Sequence, residues 1–411
     1  MKDTIKNGSN SNGASSERRY DLDWLRIIAI FLVFIYHGTR FFDGEDWHLK
    51  NNVIDPNLTA YMSFLTALGM PLFFIIAGMG TFITLGILES RKIKNRNYLS
   101  SRFIRLMVPF FVGLFTHIPL QVYLERVNTG EFSGSLFEFY PTYFNGIYGF
   151  GGNFAILGHH LWFLVILFLF SLLTLNFFTF LQKEKNKEKI TSLLRNPRAI
   201  YLFPIPIFLS EILYAFLTDL PLFGGWNIFS HLFYYIYGFI LAFDNQLMET
   251  INKNVRKIAI INGFCFALLM IVIYFFHNDI FKATPNEYPF SEPLFWLFRT
   301  IFAWTGLVII LFIGNKYLNK DSKSRKFLNE LVLPFYILHQ TILIIFGFFI
   351  IQLNVGILIK YMLIITSSFV CIFILLVIIR EENTLRFLFG MRPIQEKSIW
   401  RLIKRSEKKS S

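Results

Sequence analysis

Long apolar stretches separated by short polar connections dominate the chain. Ten are long enough to matter, near 24–42, 59–88, 103–124, 158–182, 199–217, 226–243, 258–277, 293–314, 328–351 and 355–379. At 1.5 Å per residue, about 20 residues cross a ~30 Å hydrocarbon core, so the pattern predicts ten transmembrane helices. The second run carries Gly69, Pro71, Gly78 and Gly80 and is expected to kink or tilt. Pro204 and Pro206 are expected to interrupt the fifth.

The connections alternate in charge. Segments 89–102 and 183–198 carry Arg91, Lys92, Lys94, Arg96 and Arg102, then Lys183, Lys185, Lys187, Lys189, Arg195 and Arg198. Lys253, Arg256 and Lys257 follow, then Lys316, Lys320, Lys323, Arg325 and Lys326, then a basic tail from Arg380. The odd-numbered connections are acidic instead: 43–57 holds Asp43, Glu45, Asp46 and Asp55 against Lys50. Segment 125–157 holds Glu125, Glu131 and Glu138 against Arg126, and 278–292 holds Asp279, Glu287 and Glu292 against Lys282. Basic loops stay inside, which predicts that both termini are cytoplasmic. The fold class is therefore all-α, a polytopic membrane protein with about ten transmembrane helices. Residues 1–19 read as a disordered polar tail without the apolar core of a signal peptide, 20–380 as the membrane domain and 381–411 as a basic tail. The longest acidic connection, 125–157, is rich in Gly and Tyr and suits a re-entrant or lid-like segment.

Composition agrees. The chain is 54% hydrophobic with only 16% charged residues, where soluble proteins carry about a quarter. The net charge of +13 is spread over alternating loops, which argues against a nucleic-acid partner and for membrane lipid. Cys265 and Cys371 both sit in apolar runs and imply no disulfide.

Charged and imidazole groups at membrane depth are costly and point to function. In the first run, Arg26 and His37 stand eleven positions apart. That separation is about three helical turns, so the two share one helix face roughly 16 Å apart. A snorkelling arginine and a hydrogen-bonded core histidine are the plain alternative. His37, His117, His160, Glu211, His231, Arg299 and His339 fall toward the side of the acidic loops, where they could line a polar chamber. Any one of them could instead be a satisfied interhelical hydrogen bond. Near the basic side, Arg102 and Arg105 stand one turn apart. Paired guanidinium groups suit a phosphate or pyrophosphate, although arginines at inner helix ends are also what topology produces. A long ligand with a phosphorylated head, such as acyl-CoA, could span from those arginines to His37. The imidazole there could deprotonate an acceptor hydroxyl or carry the acyl group itself.

The segment Arg19-Tyr-Asp-Leu-Asp-Trp-Leu-Arg26, followed by His37, resembles the opening signature of the membrane-bound acyltransferase 3 family. Met70-Pro-Leu-Phe-Phe-Ile-Ile-Ala-Gly78 and Arg102-x-x-Arg105 resemble the family's second-helix and paired-arginine motifs. His160-Leu-Trp-Phe-Leu164 and Leu333-Pro-Phe-Tyr-Ile-Leu-His-Gln340 are similar to the branch containing the periplasmic-glucan succinyltransferase. The resemblance covers about 19–380. It implies a ten-helix enzyme of the inner (plasma) membrane that moves an acyl group, acetyl or succinyl, from cytoplasmic acyl-CoA to a hydroxyl of a glycan or other envelope acceptor. Under it, His37, Arg26 and Asp23 map to catalysis and Arg102 and Arg105 to the donor; His160, Trp162, Glu211 and His339 are candidates for substrate binding. No tightly bound cofactor and no metal is expected. The chain carries no appended hydrolase-like domain, so a handover to such a domain within this chain is not expected.

Two other classes compete. A transporter or flippase for an envelope precursor would also place polar groups at membrane depth, but the two halves show no motif echo, and nothing after residue 200 repeats the Arg26–His37 arrangement. A polyprenyl-dependent glycosyltransferase would want an acidic cluster, for which the Asp43-Gly-Glu-Asp46 loop is weak support.

Overall fold

The computed structural model describes residues 19–55, 57–218, 220–243, 245–281 and 291–394. The first ten helices are α1 Tyr20–Thr39, α2 Asn57–Ser90, α3 Asn95–Phe115, α4 Ile118–Thr129, α5 Leu136–Thr142, α6 Trp162–Gln182, α7 Glu184–Leu194, α8 Pro204–Leu217, α9 Ile228–Leu241 and α10 Asn245–Phe281. Then come α11 Ser291–Ile313, α12 Lys323–Ile350, α13 Ile357–Glu381 and α14 Asn383–Leu388. Among the described residues, nine segments are long and apolar enough to cross a membrane. The tenth expected span, α9, has 14 residues, a rise of only about 21 Å. Most of the acidic connection 278–292 lies outside the described residues.

The second run is one helix from Asn57 to Ser90 with Pro71 inside it, longer than a ~30 Å core needs at 1.5 Å per residue, so it crosses only with a tilt. The fifth run is divided as expected: a short turn of helix at Ala199–Tyr201 precedes α8, whose first residue is Pro204, a position where proline loses no hydrogen bond and its fixed φ already suits the helix. The third run is also broken, between α3 and α4, with Pro119 in the first turn of α4. A proline there cannot continue the ladder to the preceding carbonyls. Those carbonyls are taken up by the 125–157 connection: the Tyr143 hydroxyl donates to Leu114 O at 3.2 Å and the Tyr140 hydroxyl to Phe115 O at 2.9 Å. That connection is a folded cap. A capping box between Ser135 and Glu138 starts α5, and Arg126 ties the following glycine turns through Asn153 and the Gly152 carbonyl.

Helices α2 and α9 approach closely where glycines face carbonyls. A Cβ on Gly78 of α2 would collide with the Tyr235 carbonyl, and one on Gly238 of α9 with the Ile75 carbonyl. The two helices touch backbone to backbone at reciprocal glycines, the close approach that small residues permit in membrane bundles. This is a physical reason for the glycine that ends the Met70–Gly78 motif. Helix α12 is the inner column, with 72% of its apolar window buried against 28% for α13. Exposed apolar side chains such as Leu173, Ile260 and Leu358 cover the outside, as a surface facing hydrocarbon requires.

Candidate active site

Helix α1 organises the site. Arg26, Ile30, Val33, His37 and Arg40 recur at helical spacing, and each lines one of two cavities set back to back. The shared face expected for Arg26 and His37 is this row. The cavity toward the acidic connections has a volume of about 650 Å³. The one toward the basic connections has about 580 Å³. Val33, Met70 and Tyr336 line both, and form the waist between them.

At the basic face, Arg26, Arg102 and Arg105 line the cavity together with Asn97, Ser101 and Arg392. Arg102 is held from behind: its Nε donates to the Tyr98 hydroxyl at 3.1 Å and its Nη2 to Thr81 Oγ1 at 2.9 Å. Arg26 donates to Asn329 Oδ1 at 3.3 Å and stands 3.9 Å from Asp23. Asp23 lines neither cavity. Its carboxylate pairs closely with the buried Arg325, which also binds Asp321 at 2.7 Å. Asp23 therefore ties α1 to α12 and tempers the Arg26 charge from the side.

At the acidic face the protons can be traced. His339 Nδ1 lies 2.6 Å from the Tyr336 carbonyl, which can only accept, so Nδ1 carries the proton and Nε2 is a free acceptor. His37 Nδ1 lies 3.0 Å from the Val33 carbonyl and 3.3 Å from that Nε2. It is therefore the protonated nitrogen of His37, shared between two acceptors. That leaves the His37 Nε2 lone pair unprotonated on the residue that lines the cavity. His160 follows the same logic: its Nε2 donates to the Ile337 carbonyl at 3.1 Å, leaving Nδ1 buried without a protein partner. His339 stands between the other two, its ring centroid 5.1 Å from each. The Tyr336 hydroxyl, at the waist, donates to the His160 carbonyl.

Of the residues singled out from sequence, His37, His160, Trp162 and Arg299 line this cavity. His339 is fully buried behind His37 and does not. Glu211 lines neither cavity; it accepts from the Ser230 hydroxyl at 2.5 Å and from Asn227 N at 3.2 Å, at the start of α9. His231 stacks on Phe74 at 4.6 Å and binds the Phe223 carbonyl, and His117 packs against Gly113; both are away from the lining. The chamber expected from seven residues is thus built around three of them. The His277 side chain lies outside the described residues.

Sequence reasoning missed several lining groups. Arg40 was legible, one turn beyond His37 on the same face, and it grips Asp43 at 2.5 Å and Glu45 at 2.9 Å. Lys50 also binds Asp43, at 2.8 Å, so the Asp43–Asp46 loop is an ion-paired clamp. His48 and His159 had no local signal. His48 Nδ1 donates to Glu125, 77 positions away, at 2.5 Å, and its Nε2 accepts from Gln340 at 3.2 Å. His159 takes a left-handed conformation, φ 46°, costly for a side chain with a Cβ. It is packed edge-on against His48 and Tyr148, and its Nε2 is buried without a protein partner. Tyr148 comes from the folded cap and donates to Glu125 at 2.8 Å. Burial, reinforced by that carboxylate, pushes its phenol up, so it stays a donor. Among the described residues no group of three or more His, Cys, Asp or Glu is arranged to hold a metal ion.

The arrangement is an arginine-lined cavity and an imidazole-lined cavity that share Val33, Met70 and Tyr336. The acyltransferase-domain family profile (acyltransferase 3) matches residues 19–381. No curated protein and no solved structure matches. The profile covers all but the ends of the chain, and the family is a set of membrane O-acyltransferases. This multi-pass membrane protein belongs to the acyltransferase 3 family and is an acyltransferase.

Proposed function

We propose that the protein moves an acyl group, acetyl or succinyl, from acyl-CoA bound at the basic face to a hydroxyl of a glycan or other cell-envelope acceptor at the acidic face. By the positive-inside rule the basic face is the cytoplasmic one, in the plasma membrane. The observation that carries this reading is the pair of cavities sharing Val33, Met70 and Tyr336, arginine-lined on one side and imidazole-lined on the other. Arg102 and Arg105 take the phosphates, which guanidinium groups grip bidentately. The pantetheine arm, on the order of 15–20 Å long, matches the roughly 16 Å rise from Arg26 to His37. The thioester carbonyl then lies beside His37 Nε2.

In direct transfer, that nitrogen takes the proton of the acceptor hydroxyl as its oxygen attacks the thioester carbon. The C–S bond breaks, coenzyme A leaves as the thiol, and the imidazolium returns the proton to the thiolate. The hydrogen bonds from Nδ1 to Val33 O and His339 Nε2 hold the tautomer this requires and favour the imidazolium as it forms. An acyl-imidazole route uses the same nitrogen as nucleophile. His160 and Trp162, with His48 and His159, stand where an acceptor would sit; Trp162 offers a face for a sugar ring.

The test is purified protein in lipid nanodiscs with a panel of radiolabelled acyl-CoA donors and oligosaccharide acceptors. Transfer with stoichiometric thiol release is expected for a short-chain donor. No acyl transfer from any donor, to acceptor or water, contradicts the reading.

A further inference from the structure

The family match ends at Glu381, together with α13, yet the chain beyond it returns to the basic cavity. Glu382 caps α14, accepting from Leu385 N at 2.7 Å. The turn after α14 passes through Gly390 at φ 68°, where a Cβ would meet the Arg105 carbonyl at 2.6 Å and the Leu333 side chain at 2.8 Å. Only glycine lets the backbone lie flush there. Arg386, buried, holds the loop shut: its Nε donates to the Arg392 carbonyl at 2.7 Å, its Nη1 to the Arg380 carbonyl at 2.9 Å, and its remaining nitrogen pairs with Glu330. The Ile394 amide donates to Asn383 Oδ1 at 2.8 Å and closes the base. The Arg392 side chain is exposed and lines the basic cavity with Arg26, Arg102 and Arg105.

Four guanidinium groups therefore converge on one cavity. Arg105 has Arg26, Arg392 and Arg102 as like-charged neighbours. Among the described residues the carboxylate nearest this group is Asp23, 3.9 Å from Arg26, and neither Arg105 nor Arg392 forms an ion pair. Like charges gathered without counter-charges repel, and an anion with several negative groups relieves that repulsion. We propose that Arg392 is a further donor-binding residue, delivered by the 382–394 clasp to a phosphate of the nucleotide head. This rests on the acyl-CoA reading above and adds to it a residue outside the matched domain.

The variant is clean because the clasp is held through the Arg392 backbone carbonyl, so Arg392→Ala removes only the guanidinium. Full-length protein in nanodiscs free of anionic lipid is titrated with coenzyme A and with dephospho-coenzyme A, which lacks the ribose 3′-phosphate. Loss of one charge-assisted contact predicts about ten- to a hundredfold weaker coenzyme A binding in Arg392→Ala. The loss falls on KM for the acyl donor rather than on kcat, and Arg392→Lys recovers part of it because a point charge remains. A loss confined to coenzyme A assigns the 3′-phosphate, and an equal loss with both ligands assigns the pyrophosphate; either supports the site. Unchanged coenzyme A affinity in Arg392→Ala overturns the proposal, as does an effect confined to added phosphatidylglycerol. If the unaltered protein fails to bind coenzyme A, the underlying acyl-CoA reading is what falls.

Discussion

The cavity at the acidic face and the cavity at the basic face hold their polar groups in opposite ways. At the acidic face the key imidazoles are pinned through one nitrogen: Val33 O and His339 Nε2 take the His37 proton, Tyr336 O takes that of His339, and Ile337 O that of His160. Their chemistry is fixed before a substrate arrives. At the basic face Arg102 is braced by Tyr98 and Thr81, but among the described residues Arg105 and Arg392 form no ion pair. The difference fits the roles proposed for the two sides. A base needs one lone pair on a predetermined nitrogen, whereas a phosphate cradle needs positive charge that can close around a flexible anion.

Substitutions that strike one side and spare the other test this contrast. His37→Ala removes the base and should lower kcat by about 10²–10⁴-fold, the range for general-base catalysis, with coenzyme A affinity unchanged in a titration. Val33→Trp plugs the waist. It should reduce transfer by on the order of a hundredfold while coenzyme A still binds, because the nucleotide head never passes that point; a parallel loss of binding would deny that the cavities communicate as described. Arg105→Ala should act the other way round, raising KM for the donor about ten- to a hundredfold with kcat nearly kept, since a hydrogen bond to a charged group contributes ~1.5–3 kcal/mol. The smallest effect is expected at His339. With His339→Phe, the Val33 carbonyl still holds the His37 proton, so kcat should fall about tenfold at unchanged KM. His339→Asn, whose side-chain oxygen can accept the same bond, should recover part of that loss.

How much of this was legible in the sequence follows from the range of the interactions. The helical row Arg26–Ile30–Val33–His37–Arg40 is local, and the spacing alone puts both ends on one face. Arg102 and Arg105 are likewise one turn apart. Most spans were legible to within a few residues, but α3 and α10 begin well before the apolar runs at 103 and 258, so that Lys253, Arg256 and Lys257 lie in a helix and not in a connection. Pro119 and Pro204 each stand in the first turn of a helix and divide an apolar run. Long-range partners gave no signal. His48 meets Glu125 across 77 positions, His339 reaches His37 across 302, and Arg392 returns after the last long helix. Glu211 illustrates the converse. Its depth in the bilayer drew attention, yet it serves the start of α9 through Ser230 and Asn227. Depth marks a polar group as costly without saying whether a ligand or a neighbouring helix repays it.

The central claim is that one donor molecule occupies both cavities. The most direct measurement is an electron-microscopy structure of the protein in nanodiscs with a non-hydrolysable acyl-CoA analogue. The account predicts its phosphates among Arg26, Arg102, Arg105 and Arg392, and its acyl carbon past Tyr336 within hydrogen-bonding reach of His37 Nε2. Phosphates bound at the acidic face, or an acyl end held on the arginine side of the waist in a catalytically competent preparation, would contradict it.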